Sequence, residues 1–246
     1  MTPLLQVVDL GHQPYRPVLE FQREMLRARI AGTVTEDILL LVEHDPVVTL
    51  GRSTQAASLP LSRPELEARG FVVEEVERGG DVTVHAPGQL VGYPILDLNR
   101  HRLDLHWYLR QIEAALIAAL AAEGVLADRN PGYTGVWAGP RKIASIGVHV
   151  KQWVTLHGFA LNVTTDLRHF DVVVPCGIQG VTMTSLQREL GAGSPPAAAL
   201  WERARDSVIS AFGHAFERAP ATLPLDRLPP LPSVGNLQPL RGVGQA

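Results

Sequence analysis

Apolar residues recur at helical spacing in three stretches of the chain. Tyr15, Val18, Phe21, Met25, Leu26 and Ile30 follow Pro14 and predict an amphipathic helix. Leu105, Leu109, Ile112, Leu116, Ala119 and Leu120 predict a second, ending near Gly124. Leu200, Ala204, Val208, Phe212 and Phe216 predict a third. Continuous apolar runs lie between them. Ile38 to Val42 and Val47 to Leu50, broken by Asp45-Pro46, read as two buried strands and a turn. Ser62 to Glu65 is a capping box, with Pro64 in the first turn, and opens a short helix that stops at Gly70. Phe71 to Val76 and Leu90 to Leu98 predict further strands. Ile143 to Val150 and Trp153 to Val163 predict a hairpin turning at Lys151-Gln152, without the glycine or asparagine that a two-residue turn favours.

The strands come in hairpin-like pairs, which argues for an α+β domain: a mixed or antiparallel sheet with helices packed on its faces. A doubly wound parallel sheet fits less well. From Pro220 onward proline, leucine and glycine dominate without periodicity. The expected organisation is one catalytic domain over residues 1–218 and a Pro-rich, mobile tail over 219–246.

The chain has 246 residues, enough to bury a sizeable core. A net charge of -3 offers no global basic field for nucleic acid or anionic membranes, and neither is expected as a partner. The N-terminal residues do not read as a signal peptide, and no apolar run approaches the roughly 20 residues of a membrane span. The expected location is the cytoplasm. A single cysteine excludes an intramolecular disulfide framework and a multi-cysteine zinc site. The histidines are spread over separate elements, without the two-on-one-face spacing of a zinc helix, so no metal is expected.

Four segments could carry chemistry. Arg78-Gly79-Gly80-Asp81-Val82-Thr83-Val84-His85 places two glycines after a strand, where the backbone can approach a ligand closely; a plain hairpin explains them equally. It is neither a phosphate-cradling Walker loop nor a dinucleotide fingerprint. Lys142 opens a small-residue strand with Ser145, Ile146 and Gly147, either as a solvated edge guard or as a lysine held near a reaction centre. Pro175 and Gly177 flank Cys176, which puts it on a loop, as a nucleophile or a small apolar residue. Gly158, Phe159 and Ala160 alternate small with bulky, a pattern suited to a ligand wall or to close strand packing.

Taken in order, these segments resemble the lipoyl(octanoyl) transferases of the biotin and lipoate ligase superfamily. Val47 to Arg52, Arg78 to Gln89, Tyr93-Pro94-Ile95, Lys142 to Gly147, Gly158 to Asn162, Pro175 to Ile178 and Thr184-Ser185-Leu186 carry the likeness, over roughly residues 35 to 215. Val84, often aromatic in the family, and Ala86, often glycine, depart from it. The resemblance implies the ligase-like α+β fold and transfer of octanoyl from octanoyl-acyl carrier protein to a lysine of apo lipoyl domains. Those domains belong to 2-oxoacid dehydrogenase E2 subunits and the glycine cleavage H protein. It implies Cys176 as thioester nucleophile and Lys142 as the residue that tunes it. Arg78 to His85, Ser145 to Gly147 and Gly158 to Ala160 would line the acyl pocket. No cofactor is expected, since a thioester donor is already activated. An ATP-dependent lipoate or biotin ligase, a non-catalytic lipoyl-domain-binding module, and a cysteine hydrolase using His85 or His149 are the competing readings.

Overall fold

The computed structural model describes residues 2–174 and 181–227. Strand β1 (Leu4–Gln13) leads into helix α1 (Tyr15–Ile30), and β2 (Asp37–His44) returns parallel to β1. Parallel neighbours need a crossover of this length, and α1 supplies it. β3 (Val47–Leu50), α2 (Arg63–Ala68), β4 (Val72–Glu75) and β5 (Val82–His85) follow as a separate unit. Its three-stranded sheet has the order β4-β3-β5. Then come β6 (Gln89–Ile95), α3 (Leu105–Ala122), β7 (Asp128–Asn130), β8 (Tyr133–Ala138), β9 (Arg141–Lys151) and β10 (Val154–Asn162). The chain finishes with β11 (Thr182–Met183), α4 (Leu186–Leu190), α5 (Ala197–Ala215) and β12 (Ala219–Thr222).

The large sheet runs β12-β1-β2-β6-β10-β9-β8-β7, with β11 pairing β9. β1 pairs parallel to β2 and β12, and β11 parallel to β9; the other pairs are antiparallel, so the sheet is mixed, as expected. Burial on both faces explains the unbroken apolar run of β2. Ile38, Leu40 and Val42 face the core under α1, whereas Leu39 and Leu41 join the core that α3 and α5 cover. A strand wedged between two helical layers has no polar face to show. A further core, including Val48, Leu66, Phe71, Val84 and Phe170, lies inside the small sheet's unit.

Three expectations need correction. β1 forms a strand where none was predicted. The β9–β10 turn is Gln152-Trp153, one residue later than expected, and both residues hold positive φ (49° and 62°). That is the backbone a primed hairpin turn requires, achieved here without glycine. Residues 219–222 are not tail but an edge strand, pairing Leu4 to Ala219 through Val7 to Thr222. Pro220 is tolerated there because an edge strand can spare a donor. Residues 228–246 lie outside the described residues. Among the described residues, no helix is long and apolar enough to cross a membrane.

Candidate active site

A cavity of about 240 Å³ opens between the two sheets. Its floor is β9 and β10, paired so that Gly147 faces Gly158 and Ser145 faces Ala160. Its roof is the segment 78–85. That segment is stitched to the large sheet by the Gly79 N–H, which donates to Val148 O at 2.8 Å. Helix α1 holds the stretch that leads into this segment. Arg16 donates to both Glu74 carboxylate oxygens (3.0 and 2.7 Å), and Arg23 does the same to Glu77 (3.0 and 2.8 Å).

Of the residues expected to line a pocket, Arg78, Gly79, Gly80, Asp81, Val82, Thr83, His85, Ser145, Ile146, Gly147, Gly158, Phe159 and Ala160 all border this cavity, as does Lys142. Val84 does not; its side chain points into the small sheet's core, as strand alternation after Thr83 demands. Asp81 borders the cavity but its carboxylate is occupied. It accepts from the Gln55 and Val82 N–H groups and from the Ser58 hydroxyl, and so shapes the loop after β3. Arg78 is spent similarly: its guanidinium donates to Thr49 O at 2.7 Å and to Thr49 Oγ1 at 2.9 Å. Ala86 does not take positive φ, so the loop bends without strain there; Gly88 carries the left-handed turn instead. Cys176 lies outside the described residues. Its flanks are anchored: the Val174 N–H donates to Ser58 O, and Met183 pairs with Lys142.

Lys142 is 2 % exposed, on β9 at one end of the cavity. Its Nζ sits 5.6 Å from the centre of the Trp137 ring, a cation–π contact that partly replaces lost water. Room for its stem depends on Gly135, where a Cβ would stand 2.8 Å from Lys142 Cε. Gly135 also holds φ 133°, and its N–H donates to the buried Glu113 at 3.2 Å. Glu113 accepts from Arg110 (2.6 Å) and Arg129 (2.9 Å) as well, and so ties the β7–β8 hairpin to α3. Gly132, Tyr133 and Thr134 of that hairpin form the cavity rim beside Lys142.

The opposite end is ringed by aromatic and imidazole side chains. Tyr15 stacks on His85 at 5.7 Å and meets His44 edge-on at 5.1 Å. His44 Nδ1 lies 2.9 Å from Gln13 O, so it must donate; Nε2 therefore accepts the Tyr93 hydroxyl proton, also at 2.9 Å. Gln89 Nε2 donates to Val84 O and to Asn162 Oδ1, which turns Gln89 Oε1 toward His85 Nδ1 at 2.7 Å. His85 then donates from Nδ1. Burial lowers the pKa of His44 to about 4 and that of His85 to about 3, so both rings are neutral. Burial likewise raises Tyr15 and Tyr93. His157 holds φ 60°, its N–H donates to Gln22 Oε1, and its Nε2 lies 3.5 Å from Glu77. His157 and Arg23 hold the Glu77 carboxyl well below the usual range.

Sequence reasoning missed Tyr15, Tyr93, His157 and the rim residues Gly132 to Thr134. Tyr15 was legible only as a helix core position, and Tyr93 as part of a buried strand and of the family resemblance, not as a cavity residue. The left open choice at Gly158 resolves both ways. A Cβ there would stand 2.1 Å from Gly92 O, so close strand packing requires the glycine, and the same residue borders the cavity.

The lipoyl protein ligase A/B catalytic domain matches residues 14–213 of this chain. An octanoyltransferase of Nostoc sp. is 46% identical over 206 residues, covering 84% of this chain and 89% of that protein. An octanoyltransferase of Flavobacterium johnsoniae is 41% identical over 232 residues, covering 88% of this chain and 98% of the relative. Among solved structures, lipoate-protein ligase A bound with ATP superposes with TM-score 0.69 at 15% identity, over 96% of this chain and 92% of that one. The bipartite lipoate protein ligase of Thermoplasma acidophilum gives 0.68 at 16% identity, over 96% and 90%. At such identities these structures establish a shared fold.

Proposed function

As a member of the lipoyl protein ligase A/B catalytic-domain family, this chain is an acyltransferase of octanoyl groups in lipoate assembly, and we propose that it works through a thioester on Cys176. The donor is octanoyl on the phosphopantetheine of acyl carrier protein. The acceptors are lysines of apo lipoyl domains, in 2-oxoacid dehydrogenase E2 subunits and in the glycine cleavage H protein. The observation that carries this reading is the placement of a buried lysine at one end of a slot whose middle is apolar, with Ile146, Phe159 and Ala160 along it.

The Cys176 thiolate attacks the donor carbonyl, and the carbon–sulfur bond to phosphopantetheine breaks. Lys142 gives its proton to the departing thiol. The acceptor amine then attacks the Cys176 thioester, an amide forms, and the neutral Lys142 takes the amine proton. One group thus serves as acid and then as base. The first half exchanges one thioester for another, and the second is driven by amide formation, so no cofactor or ATP enters.

The test is intact mass after incubation with octanoyl-acyl carrier protein. Wild type gains one octanoyl group, labile to hydroxylamine and passed to an added lipoyl domain. Cys176→Ser gains none that is passed on. Transfer that needs octanoate and ATP, with no adduct on Cys176, would overturn the reading.

A further inference from the structure

A buried chain of hydrogen bonds runs from the cavity roof to the strand beside Lys142. His85 Nδ1 donates to Gln89 Oε1 at 2.7 Å, Gln89 Nε2 to Asn162 Oδ1 at 2.9 Å, and Asn162 Nδ2 to Thr184 O at 2.9 Å. All four residues are buried. The carbonyl oxygens of Val84 and Thr184 can only accept, so each amide has one possible orientation. The Thr184 N–H donates to Lys142 O, and Met183 pairs with Lys142. β11 has only two residues, too few to hold a register on β9, and a slip by one would turn its side chains to the opposite face. Its register is held from the C-terminal side. Asn162 takes Thr184 O, the Gln187 N–H donates to Val163 O, and Glu189 accepts from Arg141 and from the Thr184 hydroxyl.

We propose that Asn162 is a positioning residue for the transfer. Acting through Thr184, its amide sets the register of β11 on Lys142, and so the point at which the chain coming from Cys176 rejoins the lysine's strand. This rests on the octanoyl-transfer reading, in which Cys176 and Lys142 act on one thioester. What an amide adds over an apolar side chain here is direction. Apolar packing would let a two-residue strand slide, whereas a fully satisfied buried network is rigid and admits one arrangement. A displacement of about 1 Å between reacting groups costs about 10²-fold in rate. Asn162 does not itself border the cavity, so its effect falls on the placement of the reacting groups and not on binding of the acyl chain.

The experiment measures kcat and KM for octanoyl-acyl carrier protein in wild type, Asn162→Asp, Asn162→Leu and Thr155→Val, from about pH 8 down to about pH 6. At the upper end Asn162→Asp keeps the acceptor for Gln89 but sets a carboxylate oxygen against Thr184 O. There kcat falls about 10²-fold and KM stays within about twofold. Burial favours the neutral carboxyl, and its O–H can donate to Thr184 O as the amide did. The ratio of variant to wild-type kcat therefore climbs as pH falls, by up to about tenfold per unit. His85 beyond Gln89, and Lys142, Glu189 and Arg141 beyond Thr184, are common to both proteins, so the ratio removes their titration. Asn162→Leu shows the loss without the climb. Thr155→Val removes another buried bond of β10, to Pro94 O, and leaves kcat within about twofold. A flat ratio in Asn162→Asp, or an equal loss of kcat in Thr155→Val, overturns the assignment; either folded variant at position 162 decides it against that control. Intact mass separates this from the transfer reading. Wild type that turns over with no octanoyl on Cys176 sinks the thioester route, and the kcat ratios, taken with whichever donor turns over, still judge Asn162. A wild-type adduct with unmoved ratios sinks Asn162 alone.

Discussion

The two ends of the cavity are built on opposite plans. At the Lys142 end a single cation rests over one indole, and the neighbouring rim reaches solvent, Tyr133 being 43% exposed. At the other end Tyr15, Tyr93, His44, His85 and His157 are all buried, and the histidine tautomers at 44 and 85 are dictated by their partners. Access to solvent is concentrated at the first end, and buried rings committed to one another at the second. The contrast gives one cavity an accessible mouth and a far wall whose hydrogen bonds are already spent.

Substitutions at each end test this division. Lys142→Ala should lower transfer by about 10²- to 10⁴-fold, the usual worth of a positioned acid–base group, while circular dichroism shows the fold retained. Retained turnover would make the lysine structural. Gly158→Ala, between the two ends, forces a Cβ to 2.1 Å from Gly92 O and should cost at least about 1–3 kcal/mol in denaturant unfolding.

The far end should also register in pH. His44 and His85 have folded pKa values of about 4 and about 3, below the unfolded value near 6.5. The unfolded chain therefore binds protons first as pH falls. Stability is complete above about pH 6.5 and declines as pH drops toward 4, by on the order of 3 kcal/mol per histidine. Melting curves of His44→Gln should show a shallower decline over that window, and an unchanged slope would mean the imidazoles do not carry it. The smallest effect is expected at the rim. Glu113→Gln keeps an acceptor for the Gly135 N–H but loses the charge holding Arg110 and Arg129; it should raise the KM for the carrier thioester a few-fold and leave kcat nearly unchanged, because it loosens the hairpin and not the lysine.

Elements with a strong local signal were legible. α1, α3 and α5 declared themselves through spacing, and α2 through its capping box, in which the Glu65 carboxylate accepts the Ser62 N–H at 2.8 Å. The site residues that the resemblance implies were also legible, and all of them but Val84 and the undescribed Cys176 border the cavity. What escaped was long-range. β12 reads Ala-Pro-Ala-Thr and owes its conformation to β1, not to its own propensity. β1 is interrupted by Gly11 at positive φ and by a register shift between Asp9 and His12. Tyr15, Tyr93 and His157 sit on three elements whose meeting only the sheet order reveals.

That sheet order has a consequence for how the molecule is made. β1 leaves the ribosome well before one of its two neighbours, β12, which is among the last described residues. Throughout synthesis β1 can pair with β2 on one side while its other backbone edge stays unsatisfied. Such an edge invites association with a second nascent chain, and contacts between distant parts of a sequence form slowly. The short strand β12, with a proline set in it, covers that edge and offers a poor edge in its place, so its arrival is also what shields β1 from aggregation.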